Sequence, residues 1–105
     1  MDIPKDFQLV YERDSQSNDS FNTLYHVAIY NLLTQHNELL KVKIVSSGTI
    51  GYHPSFIAYI FNSKKYKWKK VNETSGNAKL PKGSTIADLV NLSKDTILEL
   101  LATVY

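Results

Sequence analysis

The chain has 105 residues, one domain's length, and its 43% apolar and 21% charged residues are those of a folded chain rather than a disordered one. Cysteine is absent, which excludes a disulfide framework, a thiolate zinc site and a cysteine nucleophile. The net charge of +2 conceals a segregation: residues 41–82 carry nine lysines against Glu73, while the segments on either side are acidic.

Residues 6–13, DFQLVYER, alternate as a strand, with Phe7, Leu9 and Tyr11 on one face. The polar run 14–22, DSQSNDSFN, reads as a solvated loop. Its oxygen ligands do not make a calcium loop, because the turn glycine is missing and Tyr25 stands where the bidentate glutamate belongs. Residues 23–33 are apolar on both strand faces. Tyr25, Val27, Ile29 and Tyr30 favour strand over helix, and TQHN at 34–37 joins them to an alternating strand at 38–46. SGTIGYHPS at 47–55 is a turn and loop. SFIAYIF at 55–61 and YKWKKVN at 66–72 flank NSKK, the clearest hairpin signal in the chain. Residues 73–84 form a Gly- and Pro-containing loop.

The tail, 85–104, has helical spacing. Thr85 and Asp88 form a capping-box pattern, and the polar Ser93 and Asp95 predict a kink or a break near 91–93. Strands followed by helix give an α+β domain: an antiparallel four- to five-stranded β-meander over 1–84, and a C-terminal helical segment at 85–105 packed on one face. The expected core is Leu9, Tyr11, Val27, Ile29, Val42, Ile44, Ile57, Tyr59, Leu89, Ile97, Leu100 and Leu101.

The strongest site signal is KKYKWKK at 64–70, five lysines in seven residues with two aromatics between them. Lys64, Lys65, Lys67, Lys69 and Lys70, with Lys79 and Lys82 beyond, can attract phosphates, and Tyr66 and Trp68 can stack on unpaired bases. On a strand, Tyr66, Trp68 and Lys70 share one face, while Lys65, Lys67 and Lys69 share the other. The plainer reading puts the aromatics in the core and the lysines on a solvated edge that discourages strand addition. Lysine is a point charge rather than a base reader, and Arg13 is the only arginine, so any nucleic-acid binding would have low sequence specificity.

Other patterns are weaker. KLPKGST at 79–85 lacks the order of a phosphate loop and reads as a plain helix cap. His26, His36 and His53 have no metal-ligand spacing, so no metal or cofactor is expected. No nucleophile elbow occurs, although GYHPS at 51–55 places Tyr52, His53 and Ser55 in a loop. The start, MDIPKDFQ, is unlike a secretory signal, and no apolar run reaches the roughly 18 residues of a spanning helix. The expectation is a small cytoplasmic binding protein, not an enzyme and not membrane-bound, that takes nucleic acid or another polyanion on its lysine-rich hairpin. The alternative is a protein-interaction or regulatory module, a homo-oligomer being one form of it, motivated by seven tyrosines and four phenylalanines.

Overall fold

A computed structural model describes residues 7–17, 22–33 and 38–101. Five strands, β1 (Phe7–Gln16), β2 (Thr23–Leu33), β3 (Leu39–Thr49), β4 (Ser55–Asn62) and β5 (Lys67–Ser75), precede one helix, α1 (Ile86–Leu101). The sheet order is β1-β2-β3-β4-β5 with every pairing antiparallel. This is the expected meander with its C-terminal helix. The elements run past the expected ends: Asp14–Gln16 belong to β1, β3 reaches Thr49, and β5 reaches Ser75. The link at 34–37, residues 18–21 of the expected 14–22 loop and residues 102–105 of the tail lie outside the described residues.

α1 packs on β2, β3, β4 and β5. Leu89, Ser93, Ile97, Leu100 and Leu101 recur at helical spacing and are buried against Leu24, Ala28 and Leu32 of β2, Val42 and Ile44 of β3, and Phe56 and Ala58 of β4. Each buried leucine or isoleucine of the helix contributes about 1.5–3 kcal/mol. Small residues set the distance. Ala28, Ser46, Gly48 and Ala58 form the buried middle of the covered face, and a Cβ on Gly48 would lie 2.4 Å from Leu80 Cδ1. The start of α1 is capped as its sequence predicts, with Thr85 N donating to Asp88 Oδ2 at 2.8 Å and Asp88 N to Thr85 Oγ1 at 3.3 Å.

The expected break near 91–93 is absent, because Ser93 faces the sheet and is buried rather than ending the helix. The expected core is right on β3 and α1 and wrong on the other strands. Val27, Ile29, Ile57 and Tyr59 are only partly buried and lie on the face opposite the helix, while Leu9 and Tyr11 are about half exposed on the edge strand β1. β2 and β4 are apolar on both faces, so alternation alone does not say which face the helix takes.

Two bulges re-aim side chains. In β1 the register shifts between Leu9 and Tyr11, and in β5 it shifts opposite Ala58 and Tyr59. The second leaves Val71 as the extra residue and brings Lys70 and Glu73 onto one face, where Nζ and Oε2 are 2.9 Å apart. It also turns Asn72 toward the helix end, where Nδ2 donates to the carbonyls of Glu99 and Leu100 at 3.0 and 3.3 Å. Among the described residues those carbonyls have no partner within the helix, which is described to Leu101. Among the described residues no helix is long and apolar enough to cross a membrane.

Candidate functional site

The face of the sheet turned away from α1 is the place to look, because no described element covers it. Register fixes its composition. One row across the strands reads Tyr11, Ile29, Lys43, Tyr59 and Lys70, and the next reads Arg13, Val27, Val45, Ile57 and Glu73. Trp68 of β5 stands opposite Phe61 of β4 on the same face, their rings 5.3 Å apart and tilted by 59°. Lys43 reaches in from β3, with Nζ 4.9 Å from the centre of the Tyr59 ring and 4.6 Å from that of Trp68. Partial burial among these rings lowers the Lys43 ammonium below the usual lysine range.

A cavity of about 420 Å³ is lined by Val10, Tyr11, Ile29, Lys41, Phe61 and Trp68, which come from all five strands. Edge strands of a flat five-stranded sheet lie about 19 Å apart. Residues from both edges bound one cavity here, so the sheet curls and this face is dished. Twist gives the curvature, and the bulges in the two edge strands add to it.

Charge is divided between the two faces. Arg13, Lys41, Lys43 and Lys70 lie on the open face, where Glu73 is paired with Lys70. Glu12 and Asp14 of β1 alternate to the other side, where both meet the buried His26. Its Nε2 is 3.3 Å from Glu12 Oε1, and its Nδ1 is hydrogen-bonded to Asp14 Oδ1. Asp88, Asp95 and Glu99 are on α1.

The lysine-rich segment is itself split between the two faces. Trp68 and Lys70 are on the open face, and Lys67 and Lys69, opposite Asn62 and Ile60, are exposed on the other. Tyr66 does not extend the strand. It sits in the 63–66 turn at a left-handed φ of 52° and is 83% exposed. Lys64 and Lys65 are in that turn, which Asn62 fastens by accepting their backbone N–H groups at 3.0 and 3.2 Å. Lys79 and Lys82 are in the β5–α1 loop, at the other end of a nine-residue strand, roughly 25 Å from the turn. The structure therefore does not bring the nine singled-out residues, Lys64 to Lys70 with Lys79 and Lys82, onto one patch. It does bring Lys41 and Lys43 to Trp68, together with Tyr59, Phe61, Tyr11 and Ile29. The sequence reading placed Tyr59, Tyr11 and Ile29 in the core and did not single out Phe61.

The catalytic candidates have structural duties. His53 donates from Nδ1 to the Gly76 carbonyl at 2.9 Å, and the loop around it pairs through Gly51 and Tyr52 with Leu80. Asp14, His26 and Ser46 fall in one register row and are the residue types of a serine hydrolase's triad. Two facts disqualify them: both nitrogens of His26 face carboxylates, and Ser46 Oγ is sealed beneath the helix with no partner. Among the described residues no group of three metal-ligating side chains converges. Comparison with protein-family profiles, curated proteins and solved structures finds no match to this chain.

Proposed function

We propose that the protein binds single-stranded nucleic acid, with low sequence specificity, on the dished open face of its sheet. The β4–β5 hairpin contributes Tyr59, Phe61, Trp68 and Lys70 to that surface, and β1 to β3 contribute the rest. The observation that supports this reading is the Lys43 ammonium held over the rings of Tyr59 and Trp68, with Phe61 packed on Trp68, on a face that nothing described covers. A duplex hides its base faces, whereas a single strand offers bases to aromatic rings and phosphates to lysines. Arg13, Lys41, Lys43 and Lys70 supply the charge without fork-shaped base recognition beyond the single arginine, which favours backbone over sequence.

The test is a titration of labelled single-stranded and duplex oligonucleotides at several salt concentrations, followed by anisotropy and by the emission of Trp68, the only tryptophan. Single strands should bind more tightly, with Trp68 quenched and affinity falling as salt rises. Trp68→Ala should weaken the complex about tenfold or more, since a stacked base is worth about 1–3 kcal/mol. Equal affinity for duplex, or an unchanged Trp68 signal, would count against stacking on this face.

A second reading rests on the row Val27, Val45 and Ile57, which is aliphatic and bounded by Arg13 at one edge and Glu73 at the other. Such a row suits a protein surface, including a second copy of this chain turned so that Arg13 meets Glu73. Sedimentation separates the two readings. A dimer that dissociates on Val45→Glu and binds no oligonucleotide supports this one.

A further inference from the structure

The pairing of β3 with β4 starts at Val42 opposite Ile60 and does not extend to Lys41 and Phe61, so the two strands part at this end. The gap is a notch of about 640 Å³ between the start of β3 and the β4–β5 turn. Lys41, Lys64 and Lys69 stand on its walls with Asn31, Asn62 and Phe61, and Glu38 is the carboxylate among its lining residues. Three separate segments each line it with a lysine: Lys41 of β3 from the open face, Lys64 from the turn, and Lys69 of β5 from the helix-side face. Asn62 spends its amide oxygen on the turn, so it is the amide's N–H donors that remain for a ligand.

Lys41 and Phe61 line both the notch and the cavity of the open face, so the two spaces adjoin. A strand lying over Trp68 and Phe61 therefore ends beside the notch. Three ammonium groups against one carboxylate favour a group with more charge than the single negative charge of an internal phosphodiester. A terminal phosphomonoester carries about −1.5 to −2 at neutral pH and offers three acceptor oxygens.

We propose that the notch receives the terminal phosphate of a single-stranded nucleic acid whose adjoining bases lie on the open face, so that the protein prefers phosphorylated strand ends. This rests on the function proposed above and adds an end preference to it. Lys64 and Lys69 hold the phosphate, and Lys41, at the boundary, serves both spaces.

The experiment is an anisotropy titration of one short single-stranded sequence in three forms: phosphate at the 5′ end, phosphate at the 3′ end, and hydroxyl at both ends. Inorganic phosphate is used as a competitor. One phosphorylated form should bind about fivefold more tightly than the hydroxyl form, the upper end for exposed ion pairs. Which form it is gives the direction in which the strand runs. In the double variant Lys64→Gln, Lys69→Gln the ratio should fall to one, whereas Lys94→Gln on the helix should keep it. Inorganic phosphate should erode the ratio before it displaces the strand. Equal binding of all three forms to the wild type, or a ratio that survives the double variant, overturns the notch assignment and leaves the open face standing. No binding of any oligonucleotide at low salt overturns both.

Discussion

The two faces of the sheet are made from the same strands and differ in what they do. Alternation sends neighbouring residues to opposite sides, so Phe56 and Ala58 of β4 lie under the helix while Ile57 and Tyr59 lie in the open. The covered face is small in the middle and mostly apolar beneath α1, with His26 and Ser46 buried among its aliphatic residues, and α1 sits close on it. The open face has the larger side chains: Tyr59, Phe61, Trp68 and Tyr11, with lysines among them. In an ordinary two-layer α+β domain the face without a helix is polar. Here it is aromatic and basic, and among the described residues its rings pack against one another and against Lys43. Aromatic area left unburied contributes little to stability, so its presence argues for use in binding.

The sharpest test of that contrast uses neighbouring strand positions. Phe56→Ala should cost about 3–5 kcal/mol, because the ring is fully buried and leaves a cavity. Tyr59→Ala should cost about 1–2 kcal/mol, mostly its contact with Lys43 and its cross-strand packing. Urea denaturation measures both. Binding should rank in reverse: folded Phe56→Ala keeps its affinity for single strands and Tyr59→Ala loses part of it. Equal costs in stability would mean that the open face is a second core.

Charge gives a smaller effect. The triple variant Lys41→Gln, Lys43→Gln, Lys70→Gln should lower the slope of log affinity against log salt by about 2, since each phosphate contact with a single strand contributes about 0.7. Lys94→Gln, on the helix, should leave the slope alone. A slope that responds equally to Lys94 would spread the binding over the whole surface. Within the covered face, Ser46→Ala should be neutral or stabilising by up to about 1 kcal/mol. It removes a buried hydroxyl that has no partner and adds little empty volume. A clear loss of stability would show that Ser46 Oγ is satisfied after all.

Much of this was legible in the sequence. Alternation gave β3, the turn residues gave the β4–β5 hairpin, and Thr85 with Asp88 marked the start of α1. The choice of covered face was not legible. Tyr25, Val27 and Ile29 are better strand formers than His26 and Ala28, yet the helix needs the shallow trough that Ala28, Ser46, Gly48 and Ala58 provide. Propensity describes a residue, whereas burial depends on what lies across from it. The site was half legible for the same reason. The lysines around Trp68 are adjacent in sequence, but Lys43, Tyr59 and Phe61 reach it only through the register of β3, β4 and β5. The β5 bulge, which pairs Lys70 with Glu73, leaves no mark in the composition.

The smallest effect follows from protons and returns to the same lysine. Burial lowers the Lys43 ammonium below 10.5, so the unfolded chain holds that proton more tightly than the folded one. Where the unfolded state binds more protons, stability rises with pH. Between its lowered value and 10.5, Lys43 therefore adds stability as the pH climbs. Two groups act in the opposite sense. Burial and Glu12 raise the Tyr30 phenol above 10.0, and the hydrogen bond to Glu73 raises Lys70 above 10.5. Both lose stability as the pH rises, Tyr30 from about 10.0 and Lys70 from about 10.5. The Lys43 gain should therefore appear in the denaturation midpoint below 10.5, opposed from about 10.0 by the Tyr30 loss. Lys43→Met should remove the rise and leave the later fall. Oligonucleotide affinity should drop over the same interval in which stability rises, because the neutral amine relieves the rings and no longer attracts phosphate. Affinity that holds constant across that interval would take Lys43 out of the binding face.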